Sequence, residues 1–170
     1  MLYIFGGLPG TGKSTLAAAL ARICHGCYLR VDTIEQTMKN FGLTLDGPEG
    51  YAIAYALAEE NLRLGMDVIA DTVNPIELTR DAWRRVAEPS NSGFREIEVM
   101  CTDRDEHKRR IETRQPSVSG LTLPTWDAVQ RREYHPWTGD RIVINTAGET
   151  PEQSLQKLCN ALGLSSFGDR

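Results

Sequence analysis

Residues Gly7, Leu8, Pro9, Gly10, Thr11, Gly12, Lys13 and Ser14 spell a complete phosphate-binding loop, G-x-x-x-x-G-K-[ST]. Such a loop works only between a strand and a helix, and both flanks fit. Leu2–Phe5 is a short apolar run suited to a buried strand, and the stretch from Lys13 to Cys24 is built from strong helix formers. The glycines let backbone N–H groups turn inward around phosphate oxygens, and the following helix N-terminus adds its dipole. In this reading residues 7–15, Thr15 included, cradle a nucleoside triphosphate. Lys13 reaches its β- and γ-phosphates, and the Ser14 hydroxyl is a ligand for Mg²⁺.

The rest of the chain alternates in the same way. Strands are expected at Leu2–Phe5, Tyr28–Val31, Asp67–Ala70, Glu96–Met100 and Arg141–Ile144. Between and after them, helices are expected at 13–24, 34–41, 51–65, 75–87, 103–114, 126–134 and 151–162. Pro75 and Pro151 suit first-turn positions with Asn74 and Thr150 as N-caps, and Gly65 suits a helix end. Strand–helix alternation implies an α/β fold with a parallel sheet and helices on both faces. Ligands of such sheets lie beyond the carboxyl ends of the strands, so the polar residues there are the first candidates for chemistry.

Asp32 follows the second strand and is the candidate general base, placed to take a proton from an acceptor hydroxyl. With Glu35 it also forms a capping-box-like pair, and the two roles are compatible. Asp71 follows the third strand in a shortened Walker-B pattern. It is a candidate for holding the Mg²⁺ water shell or for orienting the acceptor or Asp32, with Asn74 further along the same loop. Asp103 reads as a helix cap.

The helix 103–114 (DRDEHKRRIETR) is rich in arginine, and Arg110 and Arg114 share a face. Two readings stand for it. It is a solvated charged helix with Glu106 and Glu112 as internal partners, or its arginines close over the triphosphate together with the small-residue and proline segment 116–124, which reads as a lid. His107 and His135 read as surface groups. Trp83, Trp126, Tyr134 and Trp137 read as packing residues.

At 170 residues the chain is expected to form one domain, 1–170, with a lid at about 110–125. The net charge of −4 gives no general attraction to nucleic acid or anionic membrane. No membrane span or signal peptide is expected, and the cytoplasm is the expected location. Cys24-His25-Gly26-Cys27 is a C-x-x-C without a second ligand pair, which points to buried thiols rather than a zinc site.

Together, GLPGTGKST, Asp32, Asp71 and an arginine helix leading into a lid resemble the small P-loop kinases of the nucleoside-monophosphate-kinase-like group. Relatives by this pattern include gluconate kinase, chloramphenicol phosphotransferase, zeta toxins, adenylylsulfate kinase and polynucleotide 5′-kinase. Segments DTVNPIELTRDAW and GLTLPTWDAVQRREYHPW look like those of bacterial predicted kinases and AAA-family ATPases. The resemblance implies a three-layer P-loop fold with a five-stranded sheet of order 2-3-1-4-5. It also implies Asp32 as base, phosphate contacts from Arg110 or Arg114, and adenine contacts from the loop Asn145–Gly148.

In polynucleotide kinases and several relatives an arginine stands three residues after the base; here Glu35 stands there. A carboxylate facing the pocket disfavours a phosphorylated acceptor. The leading expectation is therefore ATP- and Mg²⁺-dependent phosphoryl transfer to the hydroxyl of a small molecule, with nucleic acid disfavoured. The alternatives are a polynucleotide or RNA 5′-end kinase, and a nucleotide-dependent regulatory ATPase with a protein partner. Oligomeric state is not legible.

Overall fold

Strand β1 (Leu2–Gly6) runs between β3 (Val68–Asp71) and β4 (Phe94–Met100), with β2 (Cys27–Arg30) beyond β3 and β5 (Ile142–Asn145) beyond β4. All four pairings are parallel and the order is 2-3-1-4-5, as the resemblance implied. This is a computed structural model in which residues 1–164 are described; positions 165–170 of the expected domain lie outside the described residues.

The sheet is central because alternate residues of its strands feed two separate cores. Leu2 and Ile4 of β1, with Val68 and Ala70 of β3, face α3 (Glu49–Arg63) and α4 (Glu77–Ala87), where Ala54, Ala58, Leu62 and Trp83 are buried. Tyr3 and Phe5, with Ile69, Ile97, Val99 and Ile144, face α1 (Lys13–Cys24) and α7 (Pro151–Leu162). Each large aliphatic or aromatic side chain so buried contributes about 1.5–3 kcal/mol. Trp83, which has no exposed surface, meets Tyr55 edge-on at 4.7 Å between centroids.

On β4 the alternation puts carboxylates where the first core would continue. Glu96 and Glu98 are nearly buried, and each is paired with an arginine: Arg84 Nε at 3.0 Å and Arg141 Nε at 2.6 Å. Pairing of this kind is what allows buried acids to persist.

The expected elements are all present, with shifted ends. α2 (Val31–Asn40) leaves β2 without a loop, so Arg30 is its N-cap and Asp32 lies in the first turn, not at the cap. α4 starts at Glu77 behind an extended Ile76, not at Pro75. Asn74 does not cap it: the residue is fully buried with φ 48°, and its amide Nδ2 donates to Phe5 O at 2.9 Å. α5 (Arg104–Thr113) is capped by Asp103, which accepts from Asp105 N and Glu106 N. α7 carries the expected Thr150 capping box and Pro151.

α6 (Trp126–Gln130) stops well before Tyr134. The chain after it is pinned instead by Arg80, fully buried on α4. Its guanidinium donates to the carbonyls of Asn74, Pro75, His135 and Pro136 and stacks 4.2 Å over Trp137. Cys24 and Cys27 are free, half-buried thiols whose pKa values burial pushes up. Among the described residues no helix is long and apolar enough to cross a membrane.

Candidate active site

The phosphate loop leaves the end of β1 at the middle of the sheet. Gly7 N donates to Val73 O at 3.0 Å, and the Thr11 hydroxyl donates to Leu8 O at 2.9 Å, closing the turn. Two glycines are fixed by contacts as well as by backbone angle. A Cβ on Gly7 (φ 143°) would stand 2.2 Å from Val99 O, and one on Gly10 (φ 84°) would stand 2.6 Å from Ile111 of α5. The N-terminus of α1 has no side-chain cap, so its first amides remain for an anion.

His107 is a correction to the expectation of a surface group. It is buried, its Nε2 is 2.8 Å from Pro9 O, and Trp126 packs on its ring edge. α5 thus props the phosphate loop from behind. His135 is exposed, with Glu133 as its partner.

A cavity of about 510 Å³ opens over the loop. Leu8, Pro9, Gly10, Gly12, Lys13, Ser14 and Thr15 form its floor, and Asp32 and Arg30 one wall. Arg110, Arg114, Arg132 and the segment 115–124 form the roof. The structure therefore brings Lys13, Ser14, Asp32, Arg110 and Arg114 around one space.

Asp71 lies beneath it, 1% exposed. One oxygen is 2.5 Å from Lys13 Nζ, and the other accepts from Tyr28 Oη at 2.6 Å and lies 3.7 Å from Arg30 Nε. Burial alone would raise its pKa, but the Lys13 charge and these hydrogen bonds hold it below the usual carboxylate range. Asp32 is less enclosed: its side chain is 46% exposed and 3.5 Å from Arg30. One carboxylate thus stands open on the cavity wall, and the other is locked to a lysine beneath the cavity.

The two arginines differ. Arg110 is committed: it donates to Glu106 at 2.6 Å, to Thr146 Oγ1 at 2.8 Å and to Thr146 O at 2.9 Å. Thr146 Oγ1 in turn donates to Thr11 O, so Arg110 and the 145–148 loop clamp the phosphate loop. Beside this clamp lies a smaller cavity of about 290 Å³, lined by Gly10, Gly12, Thr15, Thr146, Glu149 and Pro151 among others, where the resemblance put the adenine. Arg114 is half-buried with its Nε unpartnered among the described residues. Burial pulls its pKa down, while Asp32 pulls it up. It is the guanidinium with donors to spare.

Glu35 and Asn74 do not line the cavity. Asn74 is held against β1 by its bond to Phe5 O. Glu35 lies against Gly50, so close that a Cβ there would meet its Cγ at 2.2 Å. The negative charge at position 35 is therefore not a wall of the cavity and does not by itself exclude an anionic acceptor. Residues that went unremarked in the sequence are Tyr28, Arg30 and Arg132. The first two lie on β2, just ahead of Asp32, but their roles show only once β3 is placed beside that strand; Arg132 had no signal either.

The oxygen donors suit Mg²⁺. The Ser14 hydroxyl and the Asp71 carboxylate are neighbours that both lie near Lys13 Nζ, at 3.5 and 2.5 Å from it, and no group of three or more His, Cys, Asp or Glu that could hold a metal ion exists among the described residues. Mg²⁺ is usually held by one or two protein oxygens plus substrate phosphates rather than by an all-protein cage.

A parallel 2-3-1-4-5 sheet, a phosphate loop at its centre and an arginine-bearing roof define a P-loop kinase of the nucleoside-monophosphate-kinase-like group, which uses ATP and Mg²⁺. The chain belongs to the AAA domain family, whose model matches residues 2–136. It is 26% identical over 167 residues to a probable adenylyl-sulfate kinase of Aeropyrum pernix, covering 89% of this chain and 86% of that protein. It is 30% identical over 134 residues to an adenylyl-sulfate kinase of Shewanella baltica, covering 72% of this chain and 64% of the relative. Its fold is similar to that of a gluconokinase from Sinorhizobium meliloti, with TM-score 0.67, 16% identity and coverage of 95% and 90% of the two chains.

Proposed function

We propose that the protein transfers the γ-phosphoryl group of ATP to a hydroxyl of a small molecule, with Asp32 as the base. The observation that carries this reading is the division of labour between the two carboxylates. Asp71 is buried on Lys13 beneath the cavity, whereas Asp32 stands open on the cavity's wall. Transfer to an alcohol needs a group beside the triphosphate to take the hydroxyl proton, and an open carboxylate on the cavity wall supplies one; the acceptor-dependence of turnover separates this from use of the same carboxylate on water.

In this reading Lys13, the loop amides and the uncapped start of α1 bind the phosphates. Bound Mg²⁺, held by Ser14 and through Asp71, neutralises phosphate charge. Arg114 has the donors to meet charge on the transferring group, while Arg110 holds the phosphate loop and the 145–148 loop in place. The whole chain acts as one kinase domain, and residues 115–124 form the lid that keeps water from competing with the acceptor. The net charge of −4 disfavours a nucleic-acid acceptor.

The acceptor class is open to two chemistries. The names of the curated relatives point to adenylyl sulfate, and the arginines around the cavity suit such an anion. The fold neighbour's name points to a sugar acid. The test is transfer of label from γ-labelled ATP into a panel of adenylyl sulfate, gluconate and other sugars, nucleosides and amino alcohols. Label in an organic product supports the proposal and names the class. Label found only in inorganic phosphate, at a rate no acceptor alters, contradicts it.

A further inference from the structure

Arg30 is the last residue of β2 and lies in register with Asp71, the last residue of β3. Residues paired in this way present their side chains on one face of the sheet, and here the guanidinium meets three partners. Its Nε is 3.7 Å from Asp71 Oδ2, and one terminal nitrogen is 3.5 Å from Asp32 Oδ2. The other terminal nitrogen donates to Ser117 Oγ, in the segment that roofs the cavity, at 2.7 Å. Since Asp71 also holds Lys13, an unbroken run of polar contacts leads from the phosphate loop through Asp71 and Arg30 to the roof.

The same segment is fastened to α2 further along. Asn40 Nδ2 donates to Ser119 O at 3.2 Å, and Gln36 Nε2 orients Asn40 by donating to its Oδ1 at 2.8 Å. Gly120 (φ 83°) passes so close that a Cβ there would stand 2.9 Å from Asn40 Oδ1. α2 is the helix whose first turn bears Asp32. The roof is thus docked on the helix that carries the open carboxylate, and Arg30 sits at the junction.

We infer that Arg30 is a positioning residue that latches the 115–124 lid over Asp32, with Ser117 as the catch. The inference rests on the kinase reading insofar as Asp32 is the base. Two carboxylates draw the guanidinium by charge at 3.5 and 3.7 Å, its Nε having no hydrogen-bond partner among the described residues, so the short bond to the Ser117 hydroxyl is the one that ties this group to the lid. The fork geometry matters: a lysine would carry the charge but could not span three partners from one planar group.

The test is hydrogen–deuterium exchange of amides 115–124 in the full chain, comparing Ser117→Ala, Arg30→Gln and Arg30→Lys with the parent. Exchange in the lid should quicken about tenfold in Ser117→Ala and Arg30→Gln, the loss of one charge-assisted hydrogen bond from the closed state. Exchange in β1 should not change, and Arg30→Lys should recover part of the protection. A second readout separates a latch from a mere packing contact. An unlatched lid admits water, so ADP release from Mg·ATP without any acceptor should rise in Ser117→Ala. Unchanged lid exchange in both Ser117→Ala and Arg30→Gln overturns the inference, as does faster exchange with no rise in acceptor-independent ADP release. Calorimetric titration of the parent with a non-hydrolysable ATP analogue and Mg²⁺ keeps the two claims apart. Absence of binding there contradicts the kinase reading, while the latch still stands or falls on lid exchange.

Discussion

Lys13 Nζ lies 2.5 Å from Asp71 Oδ1, and the two side chains are 8% and 1% exposed. Each is the other's nearest compensation for burial. Removing one partner of such a pair leaves an uncompensated charge in a low-dielectric place, at a cost of about 3–5 kcal/mol, whereas removing both together costs less. Lys13→Ala should therefore lose triphosphate binding and also be markedly less stable to denaturant. The double variant Lys13→Ala with Asp71→Asn should recover part of that stability without recovering binding. Equal stability of the single and double variants would show that the two charges do not depend on each other for burial.

The pair also fixes the sign of an acid effect. The folded pKa of Asp71 is depressed below its unfolded value. Its contribution to stability is thus full above about pH 4, the unfolded value, and is lost as pH falls through the lower folded one. Denaturant midpoints measured across that range should fall less steeply with acid in the Lys13→Ala, Asp71→Asn double variant than in the parent.

Glu35 has the opposite sign. Burial, and then the neighbouring charge of Asp32, raise its folded pKa. As pH rises, the unfolded chain gives up this proton first, so folding loses stability from about pH 4 upward until the folded group ionises as well. Glu35→Gln removes that loss. The stability difference between variant and parent should grow in the variant's favour as pH rises above about 4 and level off once the folded group has ionised as well. A difference independent of pH would contradict the placement of Glu35.

Arg80 holds a segment that no regular element holds. Its donors satisfy four carbonyls on two loops, and its plane covers Trp137. Arg80→Met keeps some of the packing and leaves those carbonyls without their donor, a loss of about 3 kcal/mol or more. For a chain of this size that corresponds to a fall of about 6–12 °C in Tm. A fall of less than about 2 °C would show that the segment is held by other contacts.

Gly10 tests the phosphate loop itself. Its φ of 84° and the 2.6 Å approach to Ile111 leave no room for a methyl group. Gly10→Ala should weaken binding of an ATP analogue by at least about tenfold, since the loop must shift to relieve strain of about 1–3 kcal/mol. Ile111→Val in the same chain should restore part of the affinity, and the absence of any restoration would point to backbone strain alone.

What could be read in the sequence was what local chemistry decides. The phosphate loop needs its glycines at fixed offsets, Thr150 and Gln153 cap α7 within one turn, and Asp103 caps α5. Apolar runs marked the five strands, although their order came from the resemblance. The misreadings arose where distant residues overrule a local signal. Asn74 looked like a cap for Pro75, but its amide donates to Phe5 O on the neighbouring strand. His107 looked like one more polar residue on a charged helix, yet Pro9 and Trp126 enclose it. The end of α6 depends on Arg80, more than fifty residues away from the carbonyls it binds. In the candidate site, Lys13 and Ser14 were legible from the phosphate-loop motif, and Asp32 and Asp71 were candidates from their places after strands. Arg30 and Tyr28 were not, because a strand residue shows its role only once its neighbour in the sheet is known.

The most direct measurement is acceptor-dependent ADP release from Mg·ATP by Asp32→Asn beside the parent, with binding of a non-hydrolysable ATP analogue measured on both. The amide introduced by this substitution has the same shape as the carboxylate but cannot take a proton. Binding should stay within about threefold and acceptor-dependent turnover should fall by about 10²–10⁴. Turnover retained at the parent's rate would contradict the assignment of Asp32 as base, and with it the central claim about how this site transfers a phosphoryl group.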